Sequence, residues 1–151
     1  MAYDLQFIHF FALTVNLFNK MGENEYLQFL PTAGNEYFHE PKLITLNATT
    51  GSTPQRVFAS NTNTLILMSN NELYCTGVAR YGACGFRESE DIEFPNAYVK
   101  VNTTNLQGRK IKTIGMCNLQ SHIVTEDGLL FSFGYFSNNK SITYIPTQIF
   151  N

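Results

Sequence analysis

The 151-residue sequence predicts an all-β fold, a partial β-propeller of about three blades, each a four-stranded antiparallel sheet. Three observations predict it. A short pattern of polar turn, apolar pair and glycine recurs at a nearly fixed period. Each period offers about four β-prone stretches separated by turn residues. No window sustains apolar residues at helical spacing over 11 or more positions; "NEYLQFL" alone offers a single helical turn.

The pattern is clearest in "TEDGLLFSFG", Thr125 to Gly134. Going back 57 residues from Gly134 reaches Gly77, which ends "MSNNELYCTG". Another 55 residues back lies Gly22, ending "LTVNLFNKMG", where Leu17-Phe18 sits one residue farther from its glycine. That displacement fits a degenerate copy or a bulge. An apolar run precedes each polar turn: "FFALT" (10–14), "TLILM" (64–68) and "SHIVT" (121–125). Run and pair form the two arms of a hairpin, with one face of each arm buried. Asn70-Asn71 and Asp127-Gly128 supply turns that tolerate positive φ. Gly22, Gly77 and Gly134 are expected to let backbone from adjacent blades approach closely.

The remaining two strands of each period lie outside the hairpin. A proline precedes a short β-prone segment at Pro41 ("KLITL"), Pro95 ("NAYVKV") and Pro146 ("TQIF"), 19, 18 and 12 residues after the three glycines. The third copy therefore has a shortened loop. Between proline strand and next hairpin come "RVFAS" (56–60) and "KIKTIGMC" (110–117) as entry strands. The repeats divide the chain into a single domain of three units at about 1–50, 51–107 and 108–151. Residues that recur in such an array report packing and turn chemistry rather than a site.

Composition agrees with a β-rich chain: 13 Phe and 8 Tyr with no Trp. Charged residues make up 15%, below the usual fraction of about 25%. A surface so poor in charge suits a chain partly covered by a partner or by further sequence. The net charge of −2 gives no general basic footprint for nucleic acid. No run approaches the ~18 apolar residues of a membrane span. The apolar N-terminus lacks the basic region and cleavage site of a signal peptide. The sequons at Asn47, Asn102 and Asn139 are expected by chance in a chain rich in Asn and Thr. Three cysteines, Cys75, Cys84 and Cys117, form no closed even-numbered framework and are expected as reduced thiols of an intracellular protein, in cytoplasm or nucleus.

These residues resemble the RCC1 (regulator of chromosome condensation) repeat family. "SHIVTEDGLLFSFG" follows the family pattern with Phe133 where Trp is usual, and "GVARYGACG" (77–85) keeps Gly82 and Gly85 with Ala83-Cys84 in place of Gln-Leu. The first copy is faded: it keeps His9 and Gly22-x-Asn24, with Leu27 and Leu30 at the later glycines. The resemblance implies a propeller of about seven blades in the family, of which three repeats supply about three. The chain is thus expected as a fragment, an open stack completed by a partner or another copy, or a degenerate relative. One branch of the family implies guanine-nucleotide exchange on a Ran-type small GTPase.

No enzyme site, cofactor site or metal site is expected. The sequence holds no phosphate-binding glycine loop, no calcium-loop spacing and no motif that orients a nucleophile. Ser121 and His122 fall on opposite strand faces and cannot act together. "GRKIKT" (108–113) offers Arg109, Lys110 and Lys112 either to an acidic partner or for edge protection. The expected role is a protein-interaction scaffold within a larger propeller or assembly, with exchange on a small GTPase as the alternative. Function is expected on loop tips. The candidate partner-binding residues are Tyr37 and Phe38, Glu88, Glu90 and Asp91 of "RESEDIE", and Tyr135 and Phe136. The acidic set suits either a solvated loop or a basic partner. The aromatics suit either an interface or packing against the next blade.

Overall fold

The structure, a computed structural model, describes residues 46, 48–60, 63–77, 80–86, 98–117 and 119–149. They form two four-stranded antiparallel sheets. The first contains β1 (Pro54–Ala59), β2 (Asn63–Met68), β3 (Leu73–Gly77) and β4 (Val99–Lys100), in that spatial order. The second repeats the plan with β5 (Ile111–Met116), β6 (Gln120–Thr125), β7 (Leu130–Phe136) and β8 (Ser141–Gln148). These are two consecutive propeller blades. Of the expected first repeat, only residues 46 and 48–50 are among those described.

Local chemistry places the turns. Asn71 and Gly128, at matching hairpin positions, take φ of 67° and 90°, a conformation Asn and Gly reach with little steric cost. The fourth strand of the second blade departs from the expected order. It starts at Ser141 and contains Pro146, rather than following it. Pro146 falls between Thr143 and Thr147, where the β7–β8 register shifts, so its missing N–H interrupts no regular rung of the ladder.

The core lies between the sheets. Leu65, Leu67, Leu73 and Cys75 of the first face Ile111, Ile114, Ile123, Phe131 and Phe133 of the second, with Val101 and Leu106 closing the cluster. All are buried, and Leu65, Ile123 and Phe133 are fully so. The other face of the first sheet holds a smaller cluster of Ile66, Met68 and Tyr74, with Val57 and Tyr98 against it. Burial raises the Tyr98 hydroxyl well above the usual phenol range.

Three side-chain links join the blades outside the core. Arg56 donates to the Lys112 carbonyl from β1 to β5. Asn71 Nδ2 donates to the Arg109 carbonyl at 2.9 Å, and the Ile111 amide donates to Asn71 Oδ1 at 2.8 Å. The third link is the loop that follows β3. Its short 3₁₀ turn, Arg80–Gly82, packs on β7 and β8, and Ser121 Oγ donates to the Ala83 carbonyl at 3.0 Å.

Two expectations are corrected here. Cys75 and Cys84 are joined in a disulfide, with Cα atoms 5.4 Å apart; only Cys117 is a free thiol, and it is exposed. Counting three cysteines as one framework hid the pair, because the chain doubles back after Gly77 and returns Cys84 to the face that carries Cys75. The second correction concerns glycine. A Cβ on Gly134 would collide with the Leu119 carbonyl, so the close approach there is within one blade, from its own β6 side. The close approaches nearer the blade junction belong to Gly82, whose Cβ would lie 2.9 Å from the Thr143 carbonyl of β8, and Gly85, whose Cβ would meet Val101 at 2.6 Å and Phe133 at 3.3 Å.

Candidate interaction surface

The second sheet has two faces, and the core cluster shared with the first sheet packs on only one. Along β6 the burial alternates, with Ser121, Ile123 and Thr125 buried and Gln120, His122 and Val124 half-buried. The register carries this outward face across all four strands. One row runs Thr113, Val124, Leu130; the next runs Gly115, His122, Ser132, Thr147. Ser132 Oγ donates to the Ser121 carbonyl at 3.2 Å, so its hydroxyl is satisfied within the sheet. The surface is an apolar pair beside a polar row. It can bury Val124 and Leu130 and exchange hydrogen bonds through His122 and Thr147.

An aromatic rim lies at the end of the same sheet. Tyr135, in β7, pairs with Ile142 across the strands and donates its N–H to the Leu119 carbonyl. Its ring lies 5.6 Å from that of Tyr81, tilted by 54°. Tyr81 has a φ of 65° and is 40% exposed. A non-glycine residue held in that region costs on the order of 1–3 kcal/mol unless its surroundings fix it. Here the loop packing does so: Gly82 is wedged beneath β8 immediately after it. Leu119 and Ile142 are also exposed, which makes the rim apolar.

Of the residues chosen from sequence, Tyr135 and Phe136 are half-buried at the end of β7, and Tyr135 joins the rim. Tyr37, Phe38, Glu88, Glu90 and Asp91 lie outside the described residues. Sequence reasoning missed Tyr81 as a surface residue. Tyr81 follows Gly77 by four residues, as Tyr26 follows Gly22, and a recurring spacing of this kind points to scaffold. The open face was missed because its members lie on separate strands and meet only through the register.

Charged residues near the turns are engaged within the fold. Glu72 accepts from Lys100 Nζ, from Thr49 Oγ1 at 2.7 Å and from the Tyr74 hydroxyl at 3.1 Å. Lys100 and then Thr49 hold its carboxyl down at about 2. Arg109 of the basic run is bound to Asp127 at 2.9 Å, while Lys110 and Lys112 are exposed. A hydrogen bond from Thr125, then the Arg109 pair, keeps Asp127 below the usual carboxylate value. Among the described residues, no three His, Cys, Asp or Glu side chains are grouped to hold a metal ion.

No protein-family model matches the sequence, and no curated protein matches it. Solved structures do match by fold. Yeast RCC1 (Prp20), in its crystal structure bound to Kap60, aligns with a TM-score of 0.65 at 18% identity, over 82% of this chain and 30% of that one. Human WBSCR16 aligns at 0.68 and 19%, over 83% and 32%. Prp20p from Saccharomyces cerevisiae, in a structure described with its binding to Gsp1p and histones, aligns at 0.66 and 18%, over 82% and 31%. The chain thus spans about a third of the length of these structures. Its two described sheets have the fold of consecutive blades in an RCC1-like propeller.

Proposed function

We propose that the chain is a non-catalytic protein-interaction scaffold, one part of a larger RCC1-like propeller or assembly. The observation that supports this reading is the outward face of the second sheet. It corresponds to the face by which the first sheet packs on the second, and its half-buried Val124 and Leu130 join neither hydrophobic cluster of the described residues. A partner of the same kind, another blade from this or a second chain, would bury Val124 and Leu130 as this chain buries Leu67 and Leu73.

Light scattering over a wide concentration range, with wild type beside Val124→Asp, tests this reading. Mass rising with concentration, and lost in the variant, is the expected result. A soluble monomer at every concentration, identical in the two proteins, overturns the exposed-face argument. The second reading is nucleotide exchange on a small GTPase, motivated by the Gsp1p binding described for Prp20p. Catalytic amounts of the chain would then speed release of a fluorescent nucleotide from a Ran-type GTPase. Binding without acceleration favours the scaffold.

A further inference from the structure

The loop between β3 and β4 is fixed at one point by covalent chemistry. Cys75 lies on the inter-blade face of β3 and Cys84 in the loop, and both are fully buried in the core cluster. Around the bond the loop makes its contacts to the second blade: Ala83 through Ser121 Oγ, Gly82 beneath β8 and Gly85 near Phe133. Asn63 Nδ2 donates to Cys84 Sγ at 3.2 Å. Three residues before Cys84, Tyr81 stands in its left-handed conformation against Tyr135. One disulfide therefore anchors the segment that mortises the blades and carries half of the aromatic rim.

We propose that the Cys75–Cys84 bond is a redox latch: its reduction frees the loop around residues 80–86, loosens that loop's seat on β7 and β8, and dismantles the Tyr81–Tyr135 rim. The co-reactant is a dithiol. Its thiolate attacks one cysteine sulfur, forming a mixed disulfide, and the other cysteine leaves as a thiolate and takes a proton. The second thiol of the reductant then displaces the first cysteine. Two electrons reach the protein, two cysteine thiols form, and the reductant becomes a disulfide. Both sulfurs are shielded, so attack waits for the loop to open. A compartment rich in reducing thiols would hold the latch open, and an oxidising one would hold it shut.

The latch does not depend on what binds the rim; only its effect on partners rests on the scaffold reading. The test uses the full chain purified without reductant. Alkylation in denaturant followed by intact mass should add one label, at Cys117, and three after treatment with dithiothreitol. Hydrogen exchange on the native chain should then rise at least tenfold at 80–86 and in β8 upon reduction, with β2 and β6 unchanged. Cys84→Ala should show the reduced pattern without dithiothreitol, and Cys117→Ala the oxidised one. Ser121→Ala, which removes the bond to Ala83, should quicken native-state reduction several-fold while keeping the disulfide. Three labels before any reductant overturn the proposal, as does exchange that is the same in both redox states. A wild-type monomer at every concentration, with the latch behaviour intact, would instead sink the scaffold reading alone.

Discussion

The two sheets share one backbone plan but differ in the face that each turns away from the N-terminal side of the stack. In the first sheet, Phe58, Leu65, Cys75 and Val99 lie on one cross-strand row, and Leu67 and Leu73 on the next. The matching rows of the second sheet are Gly115, His122, Ser132 and Thr147, then Val124 and Leu130. The apolar pair is kept and the other row has become polar. The difference shows that a blade's backbone does not dictate its interface. The same ladder carries either a row of apolar residues or a mixed row, depending on alternate residues alone.

Substitutions at matched positions can break that contrast. Phe133→Ala empties the junction and should cost about 3–5 kcal/mol, against about 1 kcal/mol for Leu130→Ala on the open face, both read by urea unfolding. Gly134→Ala drives a Cβ into the Leu119 carbonyl and should cost about 3 kcal/mol. Gly128→Ala meets nothing within 4 Å and should cost only the left-handed strain, about 1 kcal/mol. Equal losses would show that space is not what distinguishes the two glycines.

Exchanging residues between the faces sharpens the comparison further. Leu65→His places a polar ring in the dry junction and should cost about 2–4 kcal/mol. His122→Leu should change stability by no more than about 0.5 kcal/mol while strengthening self-association in sedimentation. The smallest effect concerns pH. The Glu72 carboxyl is held at about 2 in the fold, below its ordinary value of 4.5. Its contribution is complete above 4.5 and is lost as pH falls through about 2. Glu72→Gln should therefore flatten the acid side of the stability profile in that window and leave its neutral-to-alkaline shape almost unaltered.

Much of the fold was legible in the sequence because strand alternation and turn chemistry are local. The runs at 64–68 and 121–125 became β2 and β6, and Asn71 and Gly128 took the positive φ their turns require. What failed to show was non-local. The Cys75–Cys84 bond needs the chain to reverse through the 3₁₀ turn, which no spacing rule announces. The role of Gly134 was misassigned, and the close contacts of Gly82 and Gly85 went unread, because a glycine signals a close neighbour without saying which one. Tyr135 could be picked as an aromatic near a loop, but its partner Tyr81 comes from the other repeat. The open face was hidden for the same reason, since Val124 and Leu130 become neighbours only through the register.

Asn71 has an effect beyond its own turn. The first amide of β5 finds its acceptor on this side chain at the hairpin tip of the preceding sheet, and Nδ2 of the same side chain donates to the Arg109 carbonyl. If the first hairpin melts, the start of the second sheet loses a partner at the same moment. Together with the shared core, this couples the stability of the second repeat to that of the first.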